Sequence, residues 1–422
     1  MKSGNTENES VSAASPAAHD PYGALRLRDY RLYLTGSVMA TLGMQMQAVA
    51  VGWEVYERTG SAMKLGWIGL AQVLPVILFV VPAGHVADRF DRRRVVMTAE
   101  LVIASCSLGL AWVSIRQAHV DWVYVLLLLN GTARAFLQPA RASLLPLLVP
   151  RERFSNAVTW NSGGFHLASI LGPAVGGSLI AIFQSAAVVY IGQAAASLAF
   201  FALLAMIALR TFTPSTEAVT LRSLGAGFGF LWHAPVILSA ITLDMFAVLL
   251  GGATTLLPIY ARDILRVDAA GLGWMRAAPA IGALFMAILL AYRPPLERAG
   301  RALLGSVAAF GIATIVFGLS RCFWLSLLML FLTGAFDNVS VVIRHTLVQL
   351  LTPDPMRGRV SAINSMFIGA SNELGGFESG LVAAMFSPTI SVVSGGIGTL
   401  VVVAAIAAVF PALRRYGRLG GP

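Results

Sequence analysis

The residues of this sequence with chemistry to offer are polar groups inside long apolar runs. Arg134 and Arg141 stand seven apart, as do Asp337 and Arg344, each pair within a stretch made mostly of Leu, Val, Ala and Phe. Seven residues are two helical turns, so the members of each pair share a helix face about 10 Å apart along the axis. A charge at mid-bilayer costs at least about 2.5 kcal/mol on insertion scales and therefore needs a partner or a water-filled cavity. Asp244, Glu54, Gln45, Gln47 and Glu373 are further polar groups in apolar surroundings. A carboxylate that passes between a desolvated site and the neighbourhood of an arginine changes its proton affinity, which lets it carry a proton. Binding and proton exchange are thus the chemistry on offer. No nucleophile stands beside a base at recognisable spacing, so no enzyme activity is expected. His166 has no second His or Cys at metal spacing, so neither metal nor cofactor is expected. The absence of a Gly-rich loop ending in Gly-Lys-Ser or Gly-Lys-Thr excludes intrinsic use of a nucleotide.

The elements that position these groups follow from composition. Of 422 residues, 57% are hydrophobic and only 12% are charged, about half the charge of a soluble domain. The mean hydropathy is +0.76. The chain is therefore an all-α integral membrane protein. Its net charge of +10 falls in small clusters between apolar runs, which argues against nucleic-acid binding. A helix needs about 20 apolar residues to cross the hydrocarbon core. Twelve spans are predicted near 32–56, 66–87, 95–115, 122–146, 157–183, 186–209, 236–260, 271–292, 302–320, 323–350, 359–386 and 389–410. Loop arginines concentrate on one side, which receives Arg26, Arg28, Arg31, Arg89, Arg92, Arg93, Arg94, Arg414 and Arg415 among others. The opposite side receives Arg58, Lys64, Arg116, Arg262, Arg266 and Arg321. That imbalance places both termini in the cytoplasm.

Residues 1–24 are polar and small, without the apolar core of a signal peptide, and read as a disordered cytoplasmic tail. The predicted domains are a six-helix bundle over 25–210, a cytoplasmic linker over 211–235, a second six-helix bundle over 236–411 and a tail over 412–422. Cys106 and Cys322 read as small apolar fillers, with no disulfide framework.

An offset of 203 positions aligns Gly131 with Gly334, Arg141 with Arg344, Pro150 with Pro353, Asn161 with Asn364, Gly172 with Gly375 and Gly177 with Gly380, without a gap. Apolar helices match by composition alone, but Arg, Pro, Asn and Gly in register do not. Two six-span halves are therefore related by duplication. Six spans return the chain to its starting side, so the repeats run parallel about an axis along the membrane normal. This arrangement resembles that of the major facilitator superfamily.

Three segments carry a further resemblance to that superfamily. Gly84-His85-Val86-Ala87-Asp88-Arg89-Phe90-Asp91-Arg92-Arg93-Arg94 resembles its signature loop between helices 2 and 3, with Asp91 in place of the usual Gly. Asp tolerates a left-handed turn better than most residues. The resemblance implies a cytoplasmic gate built on Gly84, Asp88, Arg89, Arg92 and Arg93; the arginines also serve equally as positive-inside residues. Ala168 to Gly177, with Gly172, Pro173, Gly176 and Gly177, resembles the helix-5 motif of the superfamily's exporters, although ordinary helix packing needs the same small residues. Arg28 to Leu34, Trp53 to Ser61 and Gly131 to Phe136 are similar to the branch that contains the enterobactin exporter and macrolide efflux proteins.

The resemblance implies a major facilitator fold of two pseudo-symmetric six-helix bundles, with helices 1, 4, 7 and 10 lining a central cavity. The offset brings Arg134 into register with Asp337, opposite charges at duplicated positions. Either the two attract across the cavity in one conformation and couple binding to rocking of the halves, or each is satisfied within its own half. Asp244 is a second candidate proton carrier. The expected protein is a monomeric, proton-coupled exporter of a small hydrophobic or amphipathic molecule, such as a drug or siderophore, in a bacterial cytoplasmic membrane. Its partners are the substrate, protons and the lipid bilayer. An importer or lipid transporter on the same fold, or a non-transporting receptor, is the alternative.

Overall fold

The computed structural model describes residues 20–207, 229–293 and 297–417. Residues 1–19 of the predicted tail, most of the predicted linker and the end of the C-terminal tail lie outside these residues. Among the described residues, eleven long helices are unbroken: α1 Arg28–Thr59, α2 Ala62–Arg89, α3 Arg92–Ile115, α4 Asp121–Leu148, α5 Phe154–Phe183, α6 Ala187–Ala205, then α8 Ala269–Ala291, α9 Ala299–Leu319, α10 Phe323–Leu351, α11 Asp354–Met385 and α12 Pro388–Val409. Between α6 and α8 lies α7, Pro235–Leu250, which continues past a break as irregular helical turns to Ile264.

The helices run past the predicted spans where charged residues follow. α1 starts at Arg28 and α11 at Asp354, because backbone hydrogen bonding continues into water after hydropathy has ended. Side chains close the short connections: Ser61 accepts from the Lys64 amide, Asp268 from the Gly271 amide at 2.9 Å, and Ser387 from the Ile390 amide at 3.1 Å. α7 departs most from prediction. Gly251 and Gly252 interrupt it, and Pro258, which has no amide hydrogen, follows a tight 3-10 turn over Ala253–Leu256. Cys106 is buried as expected, but Cys322 is exposed, since it caps the start of α10 instead of filling the interior.

Nine of the described helical segments are long and apolar enough to cross a membrane. α1, α4 and α11 are long enough but fall short in apolarity, because their interiors carry Gln45 and Gln47, Arg134 and Arg141, and Glu373 and Glu378. α1 packs on α5 and α6, α2 on α4, and α3 on α4 and α6; α8 packs on α10, α9 on α10 and α12, and α7 on α11 and α12. These two sets of six meet along α5 with α8 and α2 with α11.

Candidate functional site

Backbone-to-backbone contact builds both seams. A Cβ on Gly177 of α5 would lie 2.3 Å from the Ala269 carbonyl oxygen of α8, and one on Gly380 of α11 would lie 2.6 Å from Cα of Gly66 on α2. The offset of 203 takes Gly177 to Gly380 and Gly66 to Ala269, so the two seams are one contact used twice. Within the exporter-like motif, Gly172 and Gly176 face Gln45 and Met46 of α1, while Pro173 and Gly177 face α8. A single helix therefore seats its own half and the other one.

Between the seams lies a cavity of about 170 Å³. Gln45 and Gln47 of α1, Gln72 of α2, Asn130 and Arg134 of α4, Thr255 beyond the α7 break, Arg276 of α8 and Glu373 of α11 supply its polar lining. Arg134 donates to Gln72 Oε1 at 2.9 Å. Gly131 makes that bond reachable, since it brings α4 against the Gln72 backbone one turn earlier. Gln45 donates to Ser169 Oγ at 3.2 Å and Gln47 accepts from Ser107 Oγ at 2.8 Å. Glu373 is within electrostatic reach of Arg134 from the first six helices and Arg276 from the last six, without a direct ion pair to either among the described residues. Its backbone carbonyl rests against Gly69 of α2, so the seam itself fixes its height.

The other predicted charges lie elsewhere. Arg141 donates to Ser37, stacks over the Phe200 ring at 5.4 Å and borders a second cavity of about 250 Å³ that shares Met44 with the first. Asp244 and Arg344 form an ion pair buried between α7 and α10. Glu54 does not line the cavity: it accepts from Arg58 at 3.3 Å and from Tyr190 at 2.8 Å. Asp337 makes no hydrogen bond or ion pair among the described residues, and Arg134 is turned to Gln72 and Glu373 in this conformation. Glu100 of α3 is buried near Arg141 and Ser197.

Within the predicted gate, Gly84 lies inside α2 and Arg89 ends it, exposed. The side chain of Asp88 lies outside the described residues. Asp91 is not left-handed; at φ −57° it caps α3 by accepting from the Arg93 amide at 2.9 Å. Arg92 donates to the Ser143 carbonyl at 3.5 Å and Arg93 to the Ala205 carbonyl at 2.7 Å, bonds that stay within the first six helices.

Gln72, Asn130, Thr255 and Arg276 are the polar cavity residues that sequence reasoning missed. Arg276 is a lone charge in the apolar run of α8, which is a signal in itself, but the offset pairs it with Val73. A search for matched positions passes over it.

The ends of the bundle differ. Tyr56 donates to the Asp263 carboxylate, and Arg262 donates to the Glu57 carbonyl at 3.1 Å. Among the described residues, the hydrogen bonds between the two sets of helices lie at this end, where α1 meets α2 and the α7 extension meets α8. The start of α1 and the end of α12 lie at the other end.

Residues 19–416 match the sequence profile of the family described as transmembrane secretion effectors. The chain belongs to that family. It is 25% identical over 393 residues to the enterobactin exporter EntS of Escherichia coli O1:K1 / APEC, and equally so to that of Shigella boydii serotype 18, covering 92% of this chain and 93% of each relative. Its fold matches a bacterial homologue of the human lysosomal transporter Spinster in an inward-facing, unoccupied conformation, with a TM-score of 0.70 at 15% identity over 92% of this chain and 97% of the other. It also matches the peptide transporter POT in complex with sulfate, with a TM-score of 0.69 at 15% identity over 95% and 96%. The protein is a multi-pass secondary transporter of the major facilitator superfamily, not an enzyme.

Proposed function

We propose that this transporter exports a small molecule from the cytoplasm by alternating access and that inward proton movement drives it. One observation carries the reading. Glu373 is the one carboxylate among the described residues that line the central cavity, and it faces an arginine from each set of helices. Ionised, it attracts Arg134 across the cavity; protonated, it does not. Opposite charges beyond contact distance, at about 8 Å and an effective dielectric of about 20, interact by about 2 kcal/mol, comparable with the roughly 2.3 kcal/mol that one charge gains in crossing 100 mV. A single proton is therefore enough to change how firmly the halves hold together. Tenfold accumulation costs about 1.4 kcal/mol, so one such proton sustains a gradient of roughly fortyfold for a neutral solute.

Direction is supported by the sealed end. With both termini in the cytoplasm, the Tyr56–Asp263 and Arg262–Glu57 bonds close the outer side, leaving the cavity to load from within. The similarity to enterobactin exporters agrees with outward flux. The lining refines the expected substrate: Gln45, Gln47, Gln72 and Asn130 are polar, and no aromatic ring borders the cavity among the described residues. A polar group therefore occupies this centre, and any apolar part extends into the Arg141 cavity.

Purified protein screened with siderophores and amphipathic antibiotics should release protons on binding its substrate. In proteoliposomes, Glu373→Gln should abolish uphill transport driven by a pH gradient while retaining substrate exchange between the two sides. A Glu373→Gln variant that still concentrates substrate in response to the gradient would falsify the assignment. Inside-out vesicles that fail to accumulate substrate when acidified within would overturn export.

A further inference from the structure

We infer that the hollow between the start of α9 and the segment following α12 binds the phosphodiester head group of an anionic lipid. Its lining is Arg298, Arg301, Arg414, Arg415, Tyr416 and Gly417, around about 330 Å³. These residues come from stretches more than a hundred positions apart, and backbone contacts bring them together. The Ala299 amide donates to the Gly417 carbonyl at 3.0 Å and the Gly300 amide to the Tyr416 carbonyl at 3.3 Å. A Cβ on Gly300 would lie 1.7 Å from the Leu413 carbonyl oxygen, so only glycine permits this approach. The floor is rigid and dry, since Ala299 and Leu413 are fully buried.

Four guanidinium groups held around one hollow repel one another. No carboxylate lines it, and none of the four arginines has an ion pair among the described residues. Arg298 and Arg301 also sit at the first turn of α9, the positive end of the helix dipole, where cations are least favoured. An anion removes every one of these penalties. Guanidinium forks match phosphate oxygens in geometry as well as charge. The depth selects a lipid source. The hollow caps two membrane-spanning helices, and Val409, the last residue of α12, is 68% exposed just before it. Acyl chains along that surface would deliver a head group to the arginines. Basic clusters next to a membrane helix attract anionic lipid in this way.

The test uses full-length protein in detergent, with dioleoylphosphatidylglycerol, dioleoylphosphatidylcholine and inorganic phosphate as probes. Phosphatidylglycerol should raise the melting temperature and be retained in native mass spectra, whereas phosphatidylcholine should do neither. Replacing Arg298, Arg301, Arg414 and Arg415 together by Gln should remove both effects. Replacing the exposed Arg26, Arg28, Arg31 and Arg151, an equal charge at the same end, should leave them intact. If the quadruple variant does not fold, Arg301→Gln and Arg415→Gln singly should each weaken retention on the order of fivefold. Equal loss in the comparison set would reduce the effect to diffuse attraction and overturn the site. Full stabilisation by inorganic phosphate alone would overturn the lipid as its occupant.

Discussion

The buried charges of this transporter divide into two kinds by what surrounds them. Asp244 and Arg344 face each other with almost no exposure, and removal of either partner leaves an uncompensated charge in low dielectric. Asp244→Ala should therefore destabilise the protein by about 3–5 kcal/mol, read as a lower melting temperature and poorer expression. Replacing both residues by apolar side chains of similar volume should recover most of the loss. Equal melting of Asp244→Ala and the parent would place the pair in water. Glu373 is of the other kind: it has two arginines within reach and is bonded to neither, so its ionisation is open to the contents of the cavity. Asp337, at the duplicated position of Arg134, lacks such neighbours among the described residues and in this conformation does not meet Arg134.

At the scale of elements, the seams explain why small residues recur at fixed places. α5 and α11 are equivalent helices under the repeat, and each meets the opposite half through the same glycine, Gly177 or Gly380. A methyl group at either position must push helix backbone away. Gly177→Ala and Gly380→Ala should thus give the same phenotype: the seal at the Tyr56 end loosens, and spin labels on α1 and α8 at that end move apart. Different behaviour of the two variants would deny that the seams are equivalent. Pro258 and the Gly251–Gly252 break also act at this scale. They let α7 turn toward α1, so that its extension carries Arg262 and Asp263 to their bonds with Glu57 and Tyr56.

The proposed alternating access makes the whole molecule an equilibrium between arrangements of two helix sets, and among the described residues few polar bonds, at one end, hold the arrangement seen here. A hydrogen bond to a charged group contributes about 1.5–3 kcal/mol, which is a population ratio of roughly 10–150. Tyr56→Phe removes the bond to Asp263 with little change of shape. It should raise the population open at the Tyr56 end by about that factor, measured from label distances across that end. If the distribution of distances is unchanged, the seal rests on the glycine seams and the Arg262–Glu57 bond.

The membrane class, the duplicated halves, the twelve segments and the family were legible in the sequence, because hydropathy, charge in loops and residue register are properties of the chain taken in order. Gly172, Pro173, Gly176 and Gly177 were legible as a packing motif for the same reason. Which charges meet was not. Arg134, Arg276 and Glu373 come from α4, α8 and α11, and nothing local tells that they share one cavity while Asp244 and Arg344 close on each other. Side-chain pairing depends on how helices rotate about their axes and how closely two backbones approach. Those quantities are set by contacts between distant segments, and so only the tertiary structure decided them.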